Sequence, residues 1–423
     1  MFEPKYIALA VFIVAYLWFI VDHRRRTLVA MGSVGLLVLC GVMSGSEVLR
    51  AINWNVMGIF VGMLAVADIF MESRVPAYLA EMIVDRAKNV AWAMLFVCML
   101  SGFFSAFVEN VATVLIIAPI ALSLTQKLKI SPVKMMIGIA ISSNLQGAAT
   151  LIGDPPSMLL GGFAKMNFFD FFFYQGKPSI FFAVQIGAIA SFVVLYYVFR
   201  EYRQKVELIA IEKVKSWTPT VLLAVLIILL ALSAFFDKGF SGLAGILCMV
   251  FGVISVLWKK WAGKASLRRT VLALDWNTTW FLIGVFVLVG SLTETGWIES
   301  FSDVLTGMIG TNIFLGYTLW VFLSVALSAF IDNVPYLATM LPVAISMAEK
   351  LNVNPSIFLF GLLVGASLGG NITPIGASAN IVACSMLKKE GYTVKFGEFV
   401  RIGLPFTMAA VTAAYVFVWL VWR

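Results

Sequence analysis

Long apolar segments separated by short polar ones make up most of this 423-residue chain. A helix needs about 20 mostly apolar residues to cross the hydrocarbon core of a bilayer. Windows of that length predict ten crossings, at residues 6–21, 27–45, 55–71, 132–164, 178–199, 217–236, 243–258, 276–293, 356–387 and 399–422. The pattern therefore predicts an all-α membrane protein that crosses the bilayer many times.

Two further apolar stretches, residues 91–125 and 312–347, carry a polar pair near their middles, Glu-Asn in the first and Asp-Asn in the second. Each arm beside the pair is too short to cross the bilayer comfortably. We therefore predict two re-entrant hairpins with polar tips. Because such backbone is tolerated at membrane depth only inside protein or beside a water-filled cavity, we expect both tips to face a cavity.

The chain also repeats itself at a nearly constant offset in sequence number. Two pairs of segments match at an offset of 223, SAFVENV (105–111) with SAFIDNV (328–334) and GAATLIG (147–153) with GNITPIG (370–376). A third pair, INWN (52–55) with LDWN (274–277), matches at an offset of 222. Three matches at nearly one spacing indicate an internal repeat. Because the first half contains an odd number of crossings, the second half should enter the bilayer from the opposite side.

The predicted organisation is therefore two inverted-topology repeats, each with about five transmembrane helices and one re-entrant hairpin. This is an architecture of secondary transporters, whose substrate sites lie between the repeats near the bilayer midplane. We assign residues 1–199 to the first repeat and residues 217–423 to the second. The basic segment 200–216 is predicted to be a cytoplasmic linker between them.

One crossing in each repeat contains helix-breaking residues. Residues 132–164 include SSNLQGAATLIGDPPS, and residues 356–387 include GASLGGNITPIGASAN. Gly and Pro are poor helix formers, so we expect both helices to unwind there. An unwound helix exposes backbone carbonyls and helix ends whose partial charges can bind an ion. Two breaks at corresponding places favour a binding site over a packing kink.

The candidate ligands of substrate or ion are the polar side chains at the tips and breaks: Glu109, Asn110, Thr113, Ser143, Asn144, Thr150, Asp154, Asp332, Asn333, Asn371, Thr373, Ser378 and Asn380. No Lys or Arg lies within either hairpin stretch, so a buried salt bridge is disfavoured for the two tip acids, and a ligand or a proton is favoured. A Na⁺ ion would use the tip oxygens of Glu109, Asn110, Asp332 and Asn333.

Two acidic residues could have a structural role in place of a role as ligands. Asp154 precedes Pro155 and could cap the half-helix that begins there. Asp68 lies near the end of the third predicted crossing, where a charge is more often structural. We include Asp154 among the candidate ligands and leave Asp68 out.

Charge distribution orients the chain. The chain is 61% hydrophobic, more than a water-soluble domain could bury, and 23 of its 30 Lys and Arg residues fall in the loops on one side of this map. By the positive-inside rule that side is cytoplasmic, which places both termini outside a plasma or inner membrane. The formal net charge of +8 is thus a topology signal, and we expect a lipid bilayer as partner and no nucleic acid.

Enzymatic motifs are absent from the sequence. No Walker A, HExxH or GxSxG string occurs, and the four cysteines form no CxxC pair. An intramembrane aspartyl protease using Asp154 is a weak alternative, because its GxGD setting would need Gly where Leu151 stands. We therefore predict a transporter, not an enzyme, with H⁺ or Na⁺ as coupling ion and no other cofactor.

The segments SAFVENVATVLIIAP, SAFIDNVPYLATMLP and TLIGDPPS resemble the signature of the ion transporter superfamily. It includes arsenite/antimonite efflux permeases, sodium/proton antiporters, the melanosomal P protein and divalent anion:sodium symporters. The resemblance covers most of the chain and is greatest to the arsenite permease and P-protein branch. It implies a scaffold domain, a mobile domain carrying both hairpins and both broken helices, elevator-type movement and a homodimer.

The tips distinguish the chain from one part of that superfamily. Its dicarboxylate symporters carry Ser-Asn-Thr at both tips, where this chain has Glu-Asn-Val and Asp-Asn-Val. Two carboxylates repel an anionic substrate, which disfavours citrate or succinate unless the acids are protonated or neutralised by Na⁺. The resemblance places proton-coupled efflux of arsenite or antimonite first and leaves room for a soluble ATPase partner. Sodium/proton antiport and sodium-coupled uptake of a carboxylate or inorganic anion are the alternatives.

Overall fold

The computed structural model describes residues 3–205, 213–237, 239–263, 266–310 and 312–423. The first half contains α1 (Pro4–Val21), α2 (Arg26–Leu39), α3 (Gly45–Ala51), α4 (Trp54–Glu72), α5 (Val75–Asp85), α6 (Val90–Ser105), α7 (Asn110–Lys127), α8 (Val133–Gly147), α9 (Pro155–Ala164), the antiparallel strands β1 (Phe173–Tyr174) and β2 (Lys177–Pro178), and α10 (Ile180–Phe199). The second half contains α11 (Thr218–Ser233), α12 (Leu243–Gly263), α13 (Leu267–Leu272), α14 (Trp276–Glu294), α15 (Trp297–Ile309), α16 (Ile313–Ser328), α17 (Asn333–Lys350), α18 (Ser356–Gly369), α19 (Ser378–Lys389) and α20 (Phe396–Trp422). Residues 206–212 of the predicted linker lie outside the described part.

Apolar helices dominate the fold. Seven of the described helices are long and apolar enough to cross a membrane, namely α1, α4, α7, α10, α12, α14 and α20. The helices α2, α6, α11, α16 and α18 are apolar but shorter, and a 14-residue helix such as α2 reaches only about 21 Å. The prediction of a mostly α-helical membrane protein with many apolar segments is confirmed.

Two predicted segments differ from the helices observed. The apolar stretch at 27–45 is not one helix, because Gly41 turns the chain at φ 71° and α3 begins after Ser44. Ser44 and Glu47 form a capping box, in which each side chain accepts a hydrogen bond from the other residue's backbone N–H. The second arm of the first predicted hairpin is also longer than expected, since α7 continues through Pro119 to 18 residues.

Two short helices that the hydrophobic pattern did not predict precede the first helix of each hairpin. The helices α5 and α15 come directly after α4 and α14 and start behind residues in the left-handed region, Arg74 at φ 61° and Gly296 at φ 75°. Both are too short to cross a bilayer. They connect the helices before them to the hairpin helices α6 and α16.

The helices pack in two groups. In the first group α4 packs against α12, α14 packs against α2, and α1 and α11 lie beside these pairs. In the second group α6 packs against α8, α16 against α18, and α10 against α20. The groups meet where α9 and α7 contact α4 and where α17 contacts α14.

The repeat in the sequence extends to the helices. The starts of α6 and α16, of α7 and α17, of α8 and α18, and of α9 and α19 all differ by the offset of the repeated tip and break segments. The starts of α4 and α14 differ by the offset of the INWN and LDWN pair. The packing partners repeat as well, since α6 packs on α8 as α16 packs on α18. The two halves therefore use the same local architecture.

Small residues allow the backbones of α4 and α12 to approach closely. A Cβ added at Gly62 would lie 2.2 Å from the carbonyl carbon of Cys248, and one added at Gly58 would lie 3.1 Å from the backbone of Gly245. Close packing of this kind drives helix association where lipid and side chains are equally apolar. Cys248, on the facing side of α12, is fully buried.

Replacing Gly62 by alanine tests this packing. We expect Gly62→Ala to lower the free energy of unfolding by about 1 to 3 kcal/mol, because the added methyl group overpacks a backbone contact. The measurement is the apparent melting temperature of the purified protein in detergent. Gly35→Ala is the control, because α2 has open space around that position and alanine favours helix. An unchanged melting temperature for Gly62→Ala would contradict the packing of α4 on α12.

Candidate functional site

The acidic residues of the two predicted tips are helix caps. The Glu109 carboxylate accepts a hydrogen bond from the Ala112 backbone N–H at 2.9 Å and caps α7. The Asp332 carboxylate accepts one from the Val334 backbone N–H at 3.1 Å and caps α17. The N-terminus of a helix carries unpaired N–H donors and a partial positive charge. Each partly buried carboxylate is therefore partly compensated by the helix that it starts.

The predicted helix breaks lie beside these tips. In the first half α8 ends at Gly147 and α9 begins at Pro155, with Asp154 accepting a hydrogen bond from the Ser157 N–H at 3.0 Å. In the second half a 3₁₀ turn, Gly370–Ile372, follows α18, and α19 begins at Ser378. One carboxylate oxygen of Asp154 thus caps α9, as the structural alternative from the sequence proposed. Its other oxygen, Oδ2, is buried without a hydrogen-bond partner among the described residues.

Equivalent hydrogen bonds join tip and break in each half. The Thr150 hydroxyl donates to the Ala106 carbonyl, and the Thr373 hydroxyl donates to the Ala329 carbonyl at 2.5 Å. The two threonines correspond to each other in the internal repeat, and so do the two alanines. Each hairpin turn and the neighbouring broken helix are therefore held together as one unit.

Buried asparagines join the two halves to each other. The Asn144 side-chain amide donates to Asn371 Oδ1 at 3.0 Å and to Asn380 Oδ1 at 2.9 Å. Asn380 in turn donates to the carbonyls of Gly370 at 3.0 Å and Thr373 at 2.9 Å. All three asparagines are at most 2% exposed. Most buried polar groups are hydrogen-bonded, and the bonds from Asn144 hold α8 against the break in the second half.

A cavity of about 320 Å³ lies between the tips and the first group of helices. Five acidic residues line it: Asp68, Glu109, Asp154, Asp275 and Asp332. Among the described lining residues the single Lys, Arg or His is Arg26. The remaining wall includes the amides of Asn110, Asn144 and Asn333 and the rings of Phe60 and Phe281. The cavity therefore offers carboxylates and amides to a small solute and has an excess of negative charge.

Arg26 forms an ion pair with one of the tip acids. Its Nη1 lies 2.5 Å from Asp332 Oδ2, and the exposed fractions of the two side chains are only 17% and 11%. The guanidinium also lies 4.6 Å from the centre of the Phe281 ring. The expectation that Asp332 has no cationic partner is therefore wrong. A search for Lys and Arg within the hairpin could not find a partner 306 residues away in the sequence.

A second ion-pair cluster stands at the edge of the same cavity. Lys259 Nζ lies 2.7 Å from Asp68 Oδ2 and 2.6 Å from Glu72 Oε1. Asp68 thus has the structural ion pair that the sequence favoured, and it also contributes to the cavity wall. Asp275 is held differently, because it caps α14 through the Thr278 N–H and also accepts the Thr278 hydroxyl at 2.6 Å.

The predicted site residues divide into two sets. Seven of them line the cavity: Glu109, Asn110, Asn144, Asp154, Asp332, Asn333 and Ser378. Six are fully buried outside its wall, where five of them donate hydrogen bonds to backbone carbonyls and Asn371 accepts one from Asn144: Thr113, Ser143, Thr150, Asn371, Thr373 and Asn380. Within the first set, Glu109, Asp332, Asn333 and Ser378 are partly exposed.

Sequence reasoning missed three charged lining residues. Arg26 belongs to the segment DHRRR, whose charge was used only for orientation. Asp275 stands within LDWN, one of the repeated motifs, and this repetition was a signal that could have selected it. Asp68 was set aside because a charge near the end of a crossing is usually structural.

The comparisons with known proteins agree with a transporter. The sequence profile of the CitMHS family, described as "Citrate transporter", matches residues 16–365 and 337–423. An uncharacterized transporter of Mycobacterium tuberculosis (strain ATCC 25618 / H37Rv) is 29% identical over 98% of both chains. The P protein of Mus musculus is 26% identical over 96% of this chain, which spans 59% of the length of that protein.

Two solved structures are similar to the fold. The YdaH transporter of Alcanivorax borkumensis has a TM-score of 0.63 at 14% identity, covering 99% of this chain and 98% of its own. MtrF of Neisseria gonorrhoeae has a TM-score of 0.58 at 11% identity, covering 99% of this chain and 94% of its own. Both likenesses concern the fold alone. With the profile match extending over nearly the whole chain, the protein is a multi-pass membrane transporter that belongs to the CitMHS citrate transporter family and is related to the P protein.

Proposed function

We propose that this transporter is a secondary active carrier that couples the movement of protons, or of another small cation, to the movement of a small solute. The observation that carries the proposal is the composition of the cavity wall, where five carboxylates face one guanidinium. Carboxylates at membrane depth bind protons or cations because an uncompensated charge there is expensive. The same wall repels a free anion. The solute taken by preference is therefore neutral or cationic.

Arsenite or antimonite is the first candidate solute, moved outward in exchange for protons. At neutral pH arsenite is a neutral trihydroxide, so it can approach carboxylates without repulsion and can donate hydrogen bonds to them. A cavity of about 320 Å³ has room for such a small polyol. The resemblance of the tip and break segments to arsenite permeases supports this candidate.

A carboxylate that enters together with cations is the second candidate. The description of the matching family as "Citrate transporter" and the presence of Arg26 in the wall favour it. An arginine is well suited to hold a carboxylate in a bidentate pair. The excess of acids requires that such a substrate be protonated or accompanied by H⁺ or Na⁺.

Sodium/proton antiport is the third candidate. It needs no solute besides the two cations, and the ligands of Na⁺ would be Glu109, Asn110, Asp332 and Asn333.

The transport cycle that we propose is of the elevator type. The helices α6–α10 and α16–α20 would move as one body against α1–α4 and α11–α14, within two inverted-topology repeats. The matched tip-to-break hydrogen bonds and the packing of the helices in two groups support this arrangement. We further propose a homodimer in a plasma or inner membrane, with both termini outside and with any ATPase subunit as an accessory.

Removing the charge of Glu109 tests the role of the acids. We expect Glu109→Gln to lower the initial rate of coupled transport at least about tenfold, because a charge-assisted hydrogen bond contributes about 1.5 to 3 kcal/mol. The assay is arsenite uptake driven by a proton gradient in everted membrane vesicles.

Glu398→Gln is the matched control, because it removes an exposed acid at the start of α20, outside the cavity. It should transport at the wild-type rate when expressed at the same level. If Glu109→Gln retains full coupled transport, the acid at this tip is not the coupling group.

A thermal-shift screen tests the choice of solute. A ligand that binds the folded protein at about 100 times its Kd stabilises it by about 2.7 kcal/mol. We expect arsenite or antimonite to raise the melting temperature of the purified protein in the absence of Na⁺. Citrate should raise it only together with Na⁺ or at acidic pH. A shift with citrate alone at alkaline pH would exclude a cavity that rejects free anions.

A further inference from the structure

The two tip acids occupy equivalent positions but have different surroundings. Glu109 and Asp332 correspond to each other in the internal repeat, and each caps the second helix of its hairpin. Asp332 has the guanidinium of Arg26 at 2.5 Å. Among the described residues no ion pair involves Glu109. The repeat therefore places two similar acids in one cavity and supplies a cation to one of them.

Arg26 is fixed in its place by α14. The guanidinium packs over the Phe281 ring at 4.6 Å, and its Nη2 lies 3.5 Å from the Thr278 hydroxyl oxygen. That hydroxyl donates to Asp275 Oδ2 at 2.6 Å. An arginine keeps its charge at every physiological pH. Asp332 thus faces a cation that is permanently charged and covalently attached to the chain.

Among the described residues, the other half of the repeat places no such cation beside Glu109. The helix α12 packs on α4 as α2 packs on α14. Residues 243–258 of α12 carry no charged side chain. The first Lys of α12, Lys259, is engaged by Asp68 and Glu72. The asymmetry between the tips therefore comes from the sequences of α2 and α12.

We propose that Arg26 is a tethered counter-ion that fills one of two equivalent cation sites, so that Asp332 stays ionised while Glu109 alone exchanges a mobile proton or Na⁺. The inference deepens the proposed function, since it assigns the coupling ion to one tip. Two equivalent acids would carry two mobile cations in each cycle. With Arg26 in place, the two tips together carry one.

The physical reason is the requirement for charge compensation. Breaking a buried ion pair by removing one partner leaves an uncompensated charge that the interior tolerates poorly. A carboxylate in that position must take up a proton or a cation from solution. The other charged or titratable groups near the tips are Asp68, Asp154 and Asp275 in the wall, and Tyr16, which hydrogen-bonds to the Pro335 carbonyl. A substitution at Arg26 replaces none of these four groups, and Asp275 is linked to Arg26 through the Thr278 hydroxyl.

Infrared difference spectroscopy tests the assignment without any solute. Protonated carboxylic acids show a carbonyl stretch that carboxylates lack, so acid-minus-alkaline spectra in Na⁺-free buffer count the acids that titrate. We expect Glu109→Gln to lose one titrating acid relative to wild type and Asp332→Asn to lose none. We expect Arg26→Gln to gain one titrating acid, and the double variant Arg26→Gln/Asp332→Asn to lose that gain.

Two controls separate charge from other effects. Arg26→Lys keeps the positive charge and should give the wild-type spectrum. Arg25→Gln removes the neighbouring arginine, whose side chain is 68% exposed and pairs with Asp22, and it should also leave the number of titrating acids unchanged. If Arg26→Gln does not fold, the comparison of Glu109→Gln with Asp332→Asn still decides the question.

Three results would overturn the inference. Asp332→Asn could remove a titrating acid, Glu109→Gln could remove none, or a folded Arg26→Gln protein could show no additional one. Failure of the proposed function looks different, because it concerns transport. A wild-type protein that moves neither arsenite nor citrate but shows the expected spectra would leave Arg26 as the tethered counter-ion and refute the proposed solutes.

Discussion

The compensation of negative charge in an apolar interior is the constraint on which this structure depends. Two acids stand at helix starts deep in a chain that is mostly hydrophobic, and neither could remain there without backbone N–H donors or a cation. The helix N-termini provide the donors at both tips. Arg26 provides a full positive charge at one of them. Both tips therefore depend on a helix N-terminus, and one of them also depends on Arg26.

Neutral polar side chains hold the tips and the breaks together through hydrogen bonds. The threonine hydroxyls tie each tip to a break, and the asparagine amides tie the breaks to each other. These groups have no net charge to compensate, so they can be buried fully once they are hydrogen-bonded. This explains why six predicted site residues lie outside the cavity wall. Of the predicted site residues, seven line the cavity and six form hydrogen bonds that hold the helices together.

The sequence predicted repeating features better than unique ones. Hydrophobic windows and the constant repeat offset located most of the helices, both breaks and both tip acids, because these features depend on local composition. The partner of Asp332 could not be predicted, since an ion pair between Arg26 and a residue 306 positions away is set by tertiary packing. The turn at Gly41 was missed because the hydrophobic windows ignored local signals, namely Gly41 itself and the capping box of Ser44 and Glu47.

The buried asparagine cluster has a consequence for the order of events at the cavity. Sliding one broken helix past the other would break the two hydrogen bonds that Asn144 donates to Asn371 and Asn380, at about 1 to 3 kcal/mol for each group left unsatisfied. In the transport cycle that we propose, the two breaks would therefore shift together. Both tips would then meet water on the same side, because this hydrogen bonding opposes a state that opens one tip to each face.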